Sequence, residues 1–272
     1  MVLLSGFIKE TTASKLNELK GHGELRPYLG CSQIGHECMR YLWLSFHWCY
    51  EQEIHARLKR LFLRGHREEP EIIKELTQIG IRCYDDQAEC NFVSGHMSGH
   101  CDGKAIGVIE APKTEHLLEF KTASDKKFKE MVKLGVKKFN PMYYGQLHVY
   151  MLGLKLTRAL FIMVNKNDDT FHIERIPFDR GFAEDLVRKG SYIISSEKPD
   201  PIQKPCSKTW FKCKWCDARA VCMEGAKPLK TCRTCKHVLI LEGGKWGCEK
   251  LDMEISTSQQ RLACKQYECM SL

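Results

Sequence analysis

No stretch of this chain approaches the roughly 18 consecutive apolar residues that a bilayer-spanning helix needs, so no membrane contact is expected. The N-terminus, Met1-Val2-Leu3-Leu4-Ser5-Gly6 with Lys9 and Glu10 close behind, has too short an apolar run for a secretory leader. The chain is therefore expected to stay in the cytoplasm where it is made. A glycine-rich phosphate loop of the G-x4-G-K-[ST] form is missing, so ATP is not implied and strand translocation would need another chain. Internal repeats and low-complexity tracts are absent as well. Charge of one sign is only mildly in excess, with 42 basic against 34 acidic residues and a net charge of +8. That balance is compatible with a polyanionic partner without demanding one.

What is present suits a soluble globular protein: 272 residues, 43% hydrophobic and 28% charged, enough for one main domain and a small extra module. Fifteen cysteines are many. A disulfide framework belongs to small secreted domains, whereas CxxC pairs gathered toward the C-terminus point to metal or cluster ligation. Basic runs occur at Lys126-Lys127-Phe128-Lys129 and Lys137-Lys138. Each is either a solvated helix face or part of a polyanion contact.

Residues 1–30 read as a weakly structured lead-in with one short helix near Ser14 to Leu19. Cys38 to Leu63 reads as helical, with no proline to break it, and Glu71 to Ile79 as an amphipathic helix ended by Gly80. Short segments at 81–86, 90–94, 100–108 and 116–121, parted by Gly, Asn, Asp or Pro, read as a β-meander. Helices are expected over Asp125 to Leu134, stopped by Gly135, and from Pro141 to about Leu152. Ala159 to Asn165 and Thr170 to Ile176 form a hairpin, and a last helix covers Phe182 to Ser195. This order implies an α/β fold with a mixed sheet flanked by helices.

Two residues apart on a strand share a face, so Glu119 and Lys121 project together while Phe120 packs behind. With Asp102 just upstream they make a site for a hard divalent cation held by oxygen, Mg²⁺ or Mn²⁺. Such an ion lowers the pKa of a bound water, and the lysine offsets charge growing on a phosphate.

The run Gly99-His100-Cys101-Asp102-Gly103 through Leu117-Leu118-Glu119-Phe120-Lys121-Thr122 resembles the signature of the PD-(D/E)XK nucleases. Arg64-Gly65-His66-Arg67-Glu68-Glu69 is similar to the first motif of the RecB and lambda-exonuclease branch; its register selects Glu69, with Glu68 and His66 as competing choices. Tyr143-Tyr144-Gly145-Gln146-Leu147-His148-Val149-Tyr150 carries that branch's Q-x-x-x-Y motif. Gln146 and Tyr150 lie one helical turn apart on one face. Cys101 stands where the family's variable proline would be. The resemblance implies a restriction-endonuclease-like sheet, metal ligation by Glu69, Asp102, Glu119 and the Phe120 carbonyl, and Lys121 orienting the attacking water. It also implies that Gln146 and Tyr150 steady the site and contact the DNA strand.

Cys213, Cys216 and Cys222 form a C-x2-C-x5-C array, one ligand short of four. It resembles the array of AddB-type and CRISPR-adaptation nucleases, whose fourth, upstream cysteine completes a [4Fe–4S] cluster. Ser32-Gln33-Ile34-Gly35-His36-Glu37-Cys38 resembles that upstream segment, which nominates Cys38; zinc is the alternative occupant. Cys232, Cys235, Cys248 and Cys264, with Cys269 competing for the last place, suit a structural zinc site in a module too small to fold unaided. His96 and His100 are read as ordinary polar residues.

The sequence thus divides into a nuclease domain over 1–228, clasped by the first cysteine set, and a zinc-binding module over 229–272. The expected activity is Mg²⁺- or Mn²⁺-dependent hydrolysis of DNA, with an exonuclease in recombination or end-processing favoured. A structure-specific endonuclease and a non-catalytic, zinc-dependent nucleic-acid-binding protein are the alternatives. The motifs are similar to bacteriophage-encoded members, which implies a host-cytoplasmic setting. DNA is the expected partner, with a recombinase or single-strand-binding protein as a further candidate.

Overall fold

The structure, a computed structural model, describes residues 11–203 and 206–272; of the lead-in expected over 1–30, residues 1–10 lie outside them. Thr11 and Ser14 cap α1 (Thr12–Glu18) reciprocally, each side chain meeting the other's amide. Then come β1 (Lys20–His22), β2 (Leu29–Gly30), a 3-10 turn at Cys31–Gln33, and α2 (Met39–Phe46). The single helical stretch expected over 38–63 is interrupted. Trp48 takes a positive φ of 54°, and its indole N–H donates to the Arg26 carbonyl at 2.6 Å. Burying that ring, 1% exposed, turns the chain out of the helix. After β3 (Glu53–His55), α3 (Ala56–Gln78) runs unbroken through Gly65 and Pro70 rather than starting near Glu71.

The segments expected to form one meander divide between two sheets. β4 (Arg82–Tyr84), β7 (Gly103–Ile106), β8 (His116–Ala123), β9 (Arg158–Asn165) and β10 (Phe171–Pro177) make a five-stranded sheet of order β10-β9-β8-β7-β4. β5 (Glu89–Phe92) and β6 (Met97–His100) join β2 in a second sheet. The stretch 100–108 is therefore not one strand. Gly103, at φ 148°, lets the chain leave β6 and enter β7, with Asp102 at the bend.

β8 and β9 are parallel, which requires a crossover, supplied by α4 (Asp125–Phe139) and α5 (Pro141–Leu154). Gly135, at φ 71°, breaks the helical path of α4, but the helix resumes to Phe139 instead of stopping. Asn140 caps α5 through the Met142 amide, with Pro141 in the first turn. Asp179 caps α6 (Arg180–Ser195) through the Phe182 amide.

The pleat of β8 and β9 sorts the core. Leu118, Phe120, Leu160, Ile162 and Val164 pack with Ile72 and Leu76 of α3 on one face. Leu117, Ala159, Phe161 and Met163 pack on the other face with Leu147 and Met151 of α5 and with residues of α2 and α6. The result is a mixed sheet flanked by helices, as the sequence implied. No helix among the described residues is long and apolar enough to cross a membrane.

The C-terminal part contains α7 (Phe211–Lys214), α8 (Arg219–Met223), the small sheet of β11 (Val238–Ile240), β12 (Trp246–Cys248) and β13 (Met253–Ile255), and α9 (Thr257–Gln260). Its Trp246 and Ile255 belong to the same buried cluster as Trp43 and Phe46 of α2. The Arg233 side chain is wholly buried, its guanidinium 3.9 Å from the Trp48 ring centre and 4.1 Å from that of Trp246. It donates to the Phe46 and Pro27 carbonyls at 3.0 and 2.7 Å and to Gln260 at 2.9 Å. The C-terminal part is thus anchored to the main core through Arg233, Trp246 and Ile255.

Candidate active site and cysteine clusters

β8 presents Glu119 and Lys121 on one face, toward α5, while Phe120 lies in the core behind them, the arrangement expected from strand alternation. Glu119 is fully buried. Its Oε1 accepts from Lys121 Nζ and from Gln146 Nε2, the latter at 2.8 Å. Its Oε2 has no hydrogen-bond partner among the described residues. A buried carboxylate oxygen without a donor is costly unless something cationic completes it.

Asp102, at the bend before β7, accepts from the Phe120 amide at 2.7 Å through Oδ2. Gly103 pairs with Leu118 in the ladder, so this bond anchors Asp102 beside Glu119. Glu69 approaches from α3, with His66 Nδ1 3.3 Å from its Oε1. Of the competing choices on α3, Glu69 feels the charges of Asp102 and Lys121, whereas Glu68 faces Arg64 Nε at 3.4 Å. Pro70 follows Glu69 directly and, lacking an amide, leaves the His66 carbonyl without its helical donor.

The electrostatics show mutual stress. Burial, reinforced by Asp102 and Glu69 and opposed by Lys121, pushes the Glu119 carboxyl up to about 7. Burial also raises Asp102, against the pull of Lys121 and the Phe120 amide. Glu69 is raised by burial and by Asp102. Burial disfavours the Lys121 ammonium, but Glu119 and Asp102 outweigh that and hold it above the usual lysine value. Three carboxyl groups thus share one lysine, an arrangement that favours a further positive charge.

Gln146 contacts Glu119 through its Nε2 hydrogen bond. Tyr150, one turn on, is only 2% exposed. Its hydroxyl lies against Gly99, 2.6 Å from where a Cβ there would stand, so it supports the site from behind. His96, read from the sequence as an ordinary polar residue, is buried, and its Nε2 faces the Leu241 carbonyl at 2.6 Å beside the C-terminal sheet. His148 and His47 are also buried, and burial pushes each down to about 4.

Cys38, Cys213, Cys216 and Cys222 line one cavity of about 220 Å³. Cys38 caps α2, its sulfur accepting from the Tyr41 amide at 3.4 Å, and Arg40 Nε donates to the Cys222 sulfur at 3.3 Å. Cys206 is a fifth thiol in this cavity, beside Cys213 and Cys38. Sequence reasoning passed over it because it lies outside the CxxC spacing. Cys232, Cys235, Cys248 and Cys264 line a second cavity of about 210 Å³. Cys269 is not among its lining residues; it bridges to Cys235 through the backbone. Among the described residues, no three His, Cys, Asp or Glu side chains stand together as a ready-made ion-binding set.

No family model matches the chain, and no curated protein matches it. Among solved structures it is similar to the alkaline exonuclease LHK-Exo from Laribacter hongkongensis, with a TM-score of 0.47 and 17% identity over 62% of this chain and 87% of that one. LHK-Exo in complex with dAMP gives 0.46 and 15%, over 63% and 88% of the two chains. The protein SSO0001 gives 0.42 and 13%, over 76% and 90%.

Proposed function

We propose that this chain is a divalent-cation-dependent nuclease that hydrolyses phosphodiester bonds in DNA, acting from strand ends as an exonuclease. The observation that carries the reading is Glu119 Oε2, buried and unpartnered beside Asp102 and Glu69. An oxygen donor set of that kind fits Mg²⁺ or Mn²⁺, with Glu69, Asp102, Glu119 and the Phe120 carbonyl as the holding groups. When bound, the ion supplies an activated water at neutral pH and draws charge from the departing oxygen.

The chain's own groups do the rest. The Phe120 amide fixes the Asp102 carboxylate, and Gln146 fixes Glu119 so that Oε2 stays free. Lys121, on the same face, offers N–H donors both to an attacking water and to the phosphate oxygens gathering charge. The dry wall of Phe161, Leu117 and Tyr150 keeps bulk water from weakening these contacts.

The thiols of the two cavities are assigned as cofactor sites by their donor chemistry. The first set, Cys38, Cys213, Cys216 and Cys222, would hold a [4Fe–4S] cluster, with zinc as the alternative, and would tie α2 to the end of the nuclease domain. The second set, Cys232, Cys235, Cys248 and Cys264, would hold zinc.

The test is incubation with end-labelled linear DNA and with closed circular DNA, with and without Mg²⁺ or Mn²⁺, beside a Glu119→Gln control. Cation-dependent mononucleotides from the linear substrate alone are expected. Cuts in the circle would replace the exonuclease with a structure-specific endonuclease. DNA retained in EDTA, with no products under any cation, would leave only a binding protein.

A further inference from the structure

Lys166 follows β9, and its amide donates to the Ala123 carbonyl at 2.8 Å, two residues beyond Lys121 on β8. Burial, followed by the charges of Arg64, Arg57 and Lys127, holds its ammonium below the ordinary lysine value. Arg57 and Arg64 lie on α3, the helix that carries Glu69, and Arg64 Nη2 donates to the Lys166 carbonyl at 3.3 Å. Lys127 stands in the first turn of α4. Arg64 and Lys166 are thus in contact, and Arg57 and Lys127, from α3 and α4, lie near enough for their charges to act on Lys166.

Arg64 is itself partly neutralised, its Nε facing Glu68 at 3.4 Å. The other nearby acids are engaged elsewhere: Asp125 accepts from Asn165 and faces Lys129 Nζ at 2.9 Å, and Asp168 accepts from Thr170. Like charges held this close work against folding, and a bound anion is what would relieve them. Two strand residues span about 7 Å. A DNA strand carries one charge per roughly 3.4 Å of helix axis. A strand with one phosphate at Lys121 therefore brings its next phosphates toward this patch.

We propose that Arg57, Arg64, Lys127 and Lys166 form a phosphate-binding patch that holds the sugar–phosphate backbone of the substrate strand next to the scissile phosphate. The role rests on the nuclease reading above. It makes substrate recognition here electrostatic and independent of base sequence.

The experiment replaces Arg57, Lys127 and Lys166 together by Gln, keeping Arg64 for its contact with the turn. Binding of labelled single- and double-stranded oligonucleotides is followed by anisotropy in EDTA over a salt series. Cleavage is measured in parallel with Mg²⁺. Removing three cations should lower the slope of log affinity against log salt by about 2 to 3, and KM should rise more than kcat falls. A charge-matched triple, Lys227→Gln, Lys245→Gln and Lys265→Gln, should keep the slope of the parent chain. An unchanged slope in the first triple, or an equal fall in the second, overturns the patch. A parent chain that cleaves nothing, while the first triple still loses slope, overturns the nuclease reading and leaves the patch standing.

Discussion

Gln146 Nε2 donates to Oε1 of Glu119 at 2.8 Å, from a helix on the crossover that follows the strand carrying the carboxylate. Because Lys121 meets the same oxygen, both donors serve Oε1 and Oε2 is left without a partner among the described residues. The crossover thus does more than return the chain for β9: it decides which oxygen of Glu119 is available.

Replacing Gln146 by Leu should weaken divalent-cation binding and lower kcat while the fold persists. The buried oxygen then loses a donor, at a cost of about 1–3 kcal/mol. Cation titration followed by cleavage rates checks this; an unaltered cation requirement would mean that Gln146 does not position Glu119.

Glu119→Gln and Lys121→Ala should each abolish cleavage, by about a thousandfold or more, yet differ in stability. Glu119→Gln removes a charge from a crowded, buried set and should leave the melting temperature equal or higher. Lys121→Ala removes the ammonium bonded to that carboxylate and should lower it. Thermal melts at pH 7 in EDTA compare the two; a reversed order would refute the charge-crowding account.

Arg233→Lys should be nearly as damaging as Arg233→Ala. A lysine keeps the charge but cannot stack between Trp48 and Trp246 or serve three acceptors from one plane. The expected loss exceeds about 3 kcal/mol. Denaturant unfolding followed by tryptophan fluorescence measures it, and a lysine variant as stable as the parent would contradict the stacking account.

The stabilisation owed to two buried histidines should fall in mildly acidic solution. His47 and His148 are 3% and 0% exposed and are held near 4 by burial, below the ordinary value of 6.5. The unfolded chain takes up protons there first. Their contribution is therefore complete above pH 6.5, and it shrinks as pH drops toward 4, by up to about 3 kcal/mol for each ring. His148→Asn keeps an acceptor for the Asp179 amide without titrating, so it should flatten the profile between those limits. Urea denaturation at pH 7.5, 6 and 5 tests this; an identical slope in the variant would rule His148 out.

Metal content should separate by cysteine set. Cys213→Ser with Cys216→Ser should lose iron or zinc from the first cavity only, and Cys232→Ser with Cys235→Ser should lose zinc from the second only. Elemental analysis of each purified protein, set beside the parent chain, reads this directly. Metal retained in full by either double variant would remove that cavity as a site.

Much of this was open to reading because short-range patterns suffice for it. Alternation along 117–123 put Glu119 and Lys121 on one face, and Asn140-Pro141 announced α5. Other features depend on partners far away in the chain. The break after Phe46 follows from burying Trp48 against Arg26, a demand that nothing inside the segment reveals. Helix α3 survives Gly65 and Pro70 because Ile72 and Leu76 pack on the sheet, which outweighs weak local propensity. Arg233 reads as a charged residue between two cysteines until the fold closes Trp48 and Trp246 over it.

By itself the sequence determined the mixed α/β class, the strand carrying Glu119 and Lys121, and the spacing of both cysteine sets, because each is written in periodicity or in neighbours a few residues apart. Only the tertiary structure decided that Gln146 bonds Glu119, that Asp102 takes the Phe120 amide, that Cys206 joins the first thiol cavity, and that Arg64 meets the Lys166 carbonyl. Those contacts join residues dozens of positions apart, and packing of α3, α4 and α5 about one sheet is what brings them within reach.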